Sequence, residues 1–232
     1  VEGNLTEHDK IIKFAEDNSI DLVIIGPEQP LVDGLANELR ANGINVFGPD
    51  KAAAVIEGDK TFAKELMKKY NIPTADFKIF EKSDYENAVT YLDEVNYPVV
   101  VKASGLAAGK GVLICNSKSE AESALKECFV DASFGEAGDK VVIEEFLEGE
   151  EASVFAITDG NSYVILPPSQ DHKRIYDGDK GKNTGGMGAY APAPIIYEKM
   201  AERIEHEIVI PTLDAMREEG RNYNGCLYCG LM

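Results

Sequence analysis

Residues 99–112 read Val-Val-Val-Lys-Ala-Ser-Gly-Leu-Ala-Ala-Gly-Lys-Gly-Val, a pattern that restricts the fold more than any other in the chain. A β-branched strand carries Lys102 into a glycine-rich loop, and a second strand, residues 111–115, leaves it. Glycines let backbone amides approach phosphate oxygens closely, and a lysine at a strand's end adds a fixed positive charge. That is phosphate-binding chemistry. It is not a Walker loop: Gly105 and Lys110 are one residue too close, Gly111 stands where Ser or Thr is needed, and the chain continues as a strand. A hairpin covering a triphosphate fits better, although a plain glycine turn between two strands would give the same pattern.

The rest of the chain supplies a frame for this loop. A helix over 6–18 capped by Thr6, a strand over 20–25, a helix over 31–42 stopped by Gly43 and a strand over 44–47 make an α-β-α-β run whose strands are expected to be parallel. Helices follow at 51–56 and 59–70, ended by Pro73. Strands at 77–80, 97–103, 111–115 and 140–146, with helices between them, form an α+β module. Residues 152–158 and 162–166 flank the turn Asp159-Gly160 and predict an antiparallel hairpin. Residues 167–194 are rich in glycine and charge and lack periodicity, as loops that are functional or disordered do. A helix over 197–219, kinked at Pro211, leads to a last strand at 226–232. The opening on a helix, ahead of a parallel sheet, predicts that the natural chain starts further upstream.

Charge excludes some classes of function. The formal net charge of −18 opposes the concentrated basic face that a nucleic-acid surface requires. No run of about 18 apolar residues suits a membrane span, and the polar start is no secretory signal, so a cytoplasmic address is expected. Cys115, Cys128, Cys226 and Cys229 are too scattered for a disulfide framework and read as reduced thiols. Cys226-Leu-Tyr-Cys229 has the spacing of a redox or zinc motif, but it has no second pair and lies in an apparent buried strand, which favours core packing.

Two further segments carry chemistry. Residues 141–153, Val-Val-Ile-Glu-Glu-Phe-Leu-Glu-Gly-Glu-Glu-Ala-Ser, could hold adenine against a strand backbone while a carboxylate accepts both ribose hydroxyls; a solvated acidic turn is the plainer alternative. Residues 167–174 place cations ahead of the glycine cluster at 183–190, which suits either a pocket for anionic substrates or a solvated loop. His8 and His206 lie on expected helices and receive no role.

Taken in order, Lys-Ala-Ser-Gly-Leu-Ala-Ala-Gly-Lys-Gly-Val, Glu-Glu-Phe-Leu-Glu-Gly-Glu-Glu-Ala-Ser and Gln-Asp-His-Lys-Arg with Asn-Thr-Gly-Gly-Met-Gly-Ala-Tyr resemble the phosphoribosylamine–glycine ligase family (glycinamide ribonucleotide synthetases) of the ATP-grasp superfamily. Gly26-Pro27-Glu28-Gln29-Pro30-Leu31, Phe47-Gly48-Pro49 and Glu57-Gly58-Asp59-Lys60 match as well, with Asp59 where Ser is common. The resemblance covers essentially the whole chain. It implies a mixed α/β and α+β molecule: a partial parallel domain over 1–58, then an ATP-grasp domain over 59–232 with a lid at about 76–149 and a core at about 150–232.

By the same resemblance Lys60, Lys102 and Arg174 are the catalytic cations, the two lysines on the ATP phosphates. Gly105, Gly109, Lys110 and Gly111 belong to the covering loop. Glu144, Phe146 and Leu147 line the adenine pocket, and Glu151 meets the ribose. Glu28, Asp171, Lys173, Gly185 and Gly186 face glycine and 5-phosphoribosylamine. The implied reaction joins those two substrates at the expense of ATP, by a monomer with no nucleic-acid or membrane partner. No metal ligand is expected within the chain. The family's magnesium carboxylates, in a Glu-Phe-Asn motif, and its Arg-Phe-Gly-Asp-Pro-Glu motif are expected beyond residue 232, and its Gly-Gly-Arg-Glu-His turn before residue 1. The chain is thus expected to keep the nucleotide elements and to be inactive alone. Another ATP-grasp ligase or carboxylase, or a non-catalytic nucleotide-binding module, are the alternatives.

Overall fold

In the computed structural model, which describes residues 4–107, 110–178 and 180–232, the chain divides into two units, one through Leu147 and one from Glu148 to Met232.

The first unit opens with helix α1 (His8–Asp17), strand β1 (Val23–Ile24), helices α2 (Glu28–Asp33) and α3 (Leu35–Ala41) and strand β2 (Val46–Phe47). β1 and β2 are parallel, as the alternation of elements predicted. Ala15, Leu35, Ala36, Leu39 and Ile44 bury their side chains together beside Ile25. Two details differ from expectation. Thr6 caps nothing: α1 starts at His8 behind Glu7, whose side chain makes no capping bond, while the Thr6 amide donates to Asn4 Oδ1. The single helix expected over 31–42 begins earlier and is broken at Gly34, whose φ of 104° ends α2 with a left-handed residue that glycine adopts at little cost.

Helices α4 (Lys51–Gly58) and α5 (Lys60–Lys69) lead into a four-stranded sheet of β3 (Phe77–Glu81), β4 (Val99–Ala103), β5 (Val112–Cys115) and β6 (Lys140–Glu145). Its order is β3-β6-β4-β5 and every neighbouring pair is antiparallel. Alternation gives the sheet two different faces. Phe80, Val99, Val101, Ala103, Val141 and Ile143 pack into a buried cluster with Ala88 and Leu92 from α6 (Tyr85–Tyr91) and its C-terminal flank, and with Ala121, Leu125 and Phe129 from α7 (Lys118–Phe129). The residues between them, Val100, Lys102, Val142 and Glu144, share the other face.

In the second unit β7 (Ala152–Thr158) lies between β8 (Tyr163–Ile165) and β13 (Gly225–Leu231), antiparallel to both. Asp159 and Gly160 turn the expected hairpin: Asp159 Oδ1 accepts from the amides of Asn161 (2.8 Å) and Ser162 (2.7 Å), and Gly160 sits at φ 90°. The segment 167–194, expected to be aperiodic, contains four short strands. β9 (Gln170–Asp171) pairs with β12 (Ala189–Tyr190), and β10 (Arg174–Tyr176) with β11 (Lys180–Asn183). Elements of two to four residues are too short to show a period. The long helix resolves into α8 (Glu198–Ile204), a π-helical turn (Glu205–Val209) and α9 (Ile210–Glu218). Pro211 has no amide hydrogen for the residue four before it, and the backbone widens where that bond is lost. Among the described residues no helix is long and apolar enough to cross a membrane.

Candidate functional site

Lys102 is the fourth residue of β4 and Glu144 the fifth of β6. Val100 lies opposite Glu144 and Lys102 opposite Val142, so Lys102 and Glu144 are diagonal neighbours on one face. Their Nζ and Oε2 atoms are 2.7 Å apart, with the glutamate side chain only 5% exposed. Helix α5 lies on this side, and its Lys64 brings a second ammonium to the same oxygen at 3.2 Å.

The start of α5 is bonded to the beginning of the glycine loop. Asp59 caps the helix, accepting from the amides of Thr61 (2.9 Å) and Phe62 (3.2 Å), and takes the Ser104 hydroxyl at 2.6 Å. The Thr61 amide also donates to Ser104 Oγ, and the two hydroxyl oxygens are 2.7 Å apart. The Lys60 amide donates to Ser104 O (2.9 Å), and Lys60 Nζ donates to Gly105 O (3.1 Å). Gly105 must be small, since a Cβ would come within 2.7 Å of Ala137 Cα and Cβ; one on Gly111 would meet Ala107 Cβ at 2.7 Å. Lys110 is exposed, while Gly109 lies outside the described residues.

Burial pulls the Lys60 pKa below the ordinary lysine value; Glu57 opposes this and nearby Lys102 adds to it. Burial likewise raises the Glu57 carboxyl, Lys60 works against that, and Glu28 adds to it. Glu28, the exposed first residue of α2, is therefore within electrostatic reach of the pair. Phe146 and Leu147 follow β6 directly, half-buried and exposed respectively.

A second group of predicted residues lies in the other unit. Lys173 Nζ bonds Glu151 Oε2 at 2.6 Å and stands 3.8 Å from Asp171 Oδ1. Burial works against the charge on Lys173, but the hydrogen bond and charge of Glu151 prevail and hold its pKa above the usual lysine value. The glycine cluster is bonded back to Lys173. Thr184 donates through both its amide (2.7 Å) and its hydroxyl (2.9 Å) to Lys173 O, and Thr184 Oγ1 accepts from the Gly186 amide at 3.0 Å. Gly185 is exposed with open space around it, and Gly186 sits at φ 116°. Arg174 begins β10, and its side chain lies outside the described residues.

Lys64 and Thr61 were not singled out from sequence, and Glu57, Asp59 and Ser104, though part of the quoted motifs, were given no role. The i, i+4 spacing of Lys60 and Lys64, which puts both on one face of α5, was the available signal for the first of them. Cys226 and Cys229 are free and stand three apart on β13, so their side chains leave opposite faces of the strand and cannot share a metal. Among the described residues no three His, Cys, Asp or Glu side chains come close enough together to hold a metal ion.

Two family models match the chain end to end: phosphoribosylglycinamide synthetase, N domain, over residues 1–57, and phosphoribosylglycinamide synthetase, ATP-grasp (A) domain, over 58–232. The phosphoribosylamine–glycine ligase of Leptospira interrogans is 51% identical over 226 residues, which is 97% of this chain and 53% of that protein. A bifunctional purine biosynthetic protein of Pichia angusta is 55% identical over 222 residues, 96% of this chain and 28% of its own length. The crystal structure of the Thermotoga maritima phosphoribosylamine–glycine ligase superposes with a TM-score of 0.74 at 42% identity, covering 81% of this chain and 47% of that one. A biotin carboxylase from Campylobacter jejuni superposes with a TM-score of 0.76 at 20% identity over 97% of this chain and 48% of its own, a likeness of fold alone. The chain spans about half the length of the single-function ligases it matches.

Proposed function

The chain belongs to the phosphoribosylglycinamide synthetase family, and from that membership we propose that it serves the ATP-dependent ligation of glycine to 5-phospho-D-ribosylamine. The products are glycinamide ribonucleotide, ADP and phosphate. A carboxylate is a poor electrophile, so a glycine carboxylate oxygen first attacks the γ-phosphorus of ATP, and ADP leaves. The ribosylamine nitrogen then attacks the acyl carbon of the glycyl phosphate. Phosphate departs with the oxygen that came from glycine, and the nitrogen loses a proton.

The observation that carries this proposal is that two lysines stand at the start of the glycine loop, Lys102 on the strand that enters it and paired with Glu144, and Lys60 bonded to Gly105 O. Both cations would lie along the triphosphate, neutralising charge on the transferring phosphoryl group. Gly105 and Gly111 would let the loop backbone close over it and exclude water from the acyl phosphate. Glu144, Phe146 and Leu147 would hold adenine and Glu151 the ribose, while Glu28, Asp171, Lys173, Arg174, Gly185 and Gly186 would receive the two other substrates. Magnesium is part of such chemistry, but the described residues do not make a site for it. A monomer working on small molecules in the cytoplasm completes the proposal.

Oxygen labelling tests it directly. With glycine labelled in its carboxylate, ATP, magnesium and freshly generated phosphoribosylamine should yield one labelled oxygen per phosphate released when the protein is tested at the full length of its single-function relatives, whereas the 232 residues alone should bind nucleotide without turnover. ADP formation that ignores glycine would overturn the ligase proposal. Nucleotide binding without any turnover by the full-length protein would indicate a binding module.

A further inference from the structure

Glu144 Oε2 is shared by two ammonium groups of unequal standing. Lys102, 26% exposed, reaches it at 2.7 Å; Lys64, 10% exposed, reaches it at 3.2 Å from one turn beyond Lys60 on α5. Lys64 is fixed by more than the carboxylate. Its Nζ donates to Thr74 Oγ1 at 2.7 Å and to Ala75 O at 3.4 Å, and it stands 5.3 Å from the centroid of the Phe77 ring. With Glu144 that makes three acceptors, the number a lysine ammonium can serve. Lys64 is thus committed to this site, whereas the more accessible Lys102 is free to exchange its partner.

A carboxylate as buried as Glu144 cannot be left without a counter-charge cheaply. If Lys102 were its only partner, a phosphate could recruit Lys102 only by stranding that anion or by drawing it along towards another anion. We propose that Lys64 is a positioning residue that keeps Glu144 compensated and in place while Lys102 turns to a nucleotide phosphate. This rests on Lys102 being a phosphate contact.

Calorimetric titration of ATP with magnesium into the purified chain tests the idea as a double-mutant cycle, with thermal melting confirming that each variant is folded. K64M should weaken ATP binding about tenfold, and K64R, which keeps the charge, should stay within about twofold of the parent. In the E144Q background, where no anion needs compensation, K64M should cost less than about twofold. Equal cost in both backgrounds, or none in either, overturns the proposal. If K64M does not fold, K64Q carries the same comparison. K102A separates the premise from the inference: unchanged ATP affinity in K102A removes the phosphate contact and the proposal with it. A loss in K102A with none in K64M removes the proposal alone.

Discussion

Lys102 is held in an ion pair with Glu144, so in the proposed function a triphosphate would exchange one anion for another. Removing the charge should still be costly. K102A is expected to weaken ATP binding by about 1.5 to 3 kcal/mol, the range for a hydrogen bond to a charged group, as read by calorimetry. The thiols make a second residue-level prediction. Burial pushes Cys115, Cys128 and Cys229 up to about 11, so in the folded protein these three thiols should not react with a thiolate-specific reagent at about pH 8, yet should react once the chain is unfolded. The sign for stability follows. Unfolded thiols ionise near pH 8.5 while folded ones keep their protons, so stability should be level below that value and fall as pH rises towards about 11, lowering the urea midpoint. Lys102 and Glu144 were legible from sequence because each closes an apolar strand whose period fixes its face. Lys64 was not, since one lysine among the four of α5 looks like any solvated helix residue until the sheet beneath it is known.

At the scale of elements, the junction between α5 and the glycine loop depends on Asp59 and Gly105. Asp59→Ala removes the cap of α5 and the acceptor for Ser104, and should cost about 1 to 2 kcal/mol in urea denaturation. Gly105→Ala drives a Cβ into the Ala137 backbone and should cost about 1 to 3 kcal/mol by the same measurement. The central strands were readable because Val99-Val100-Val101 and Val141-Val142-Ile143 are short runs of β-branched residues. The strands at 170–190 escaped notice for a physical reason. They are held by cross-strand and loop contacts, such as the His172–Tyr190 ring pair at 5.7 Å and the Tyr190 hydroxyl bonded to Gln170 Oε1, which have no local signature. The break at Gly34 was hidden because Leu31 and Val32 before it and Leu35 and Ala36 after it continue an apolar helical pattern.

For the molecule as a whole, a net charge of −18 means that folding brings many like charges together. Raising ionic strength from about 0.01 M to about 0.15 M shortens the Debye length from about 30 Å to about 8 Å, and the urea midpoint should rise with it. Composition showed that charge, and the alternation of helix and strand gave the parallel start, but not the antiparallel sense of the four-stranded sheet that follows. Pairing order could not be read, because it depends on contacts between distant residues. That order bears on how the protein is born. β6 is the last strand of its sheet to be synthesised, yet it sits between β3 and β4. On the ribosome β4 and β5 can zip together as soon as both emerge, while β3, made before them, waits with its edge open until some sixty residues later its neighbour arrives. The strand that completes the sheet also delivers Glu144 to Lys102, so a nascent chain acquires its lysine–carboxylate centre only in the closing step of that sheet's assembly.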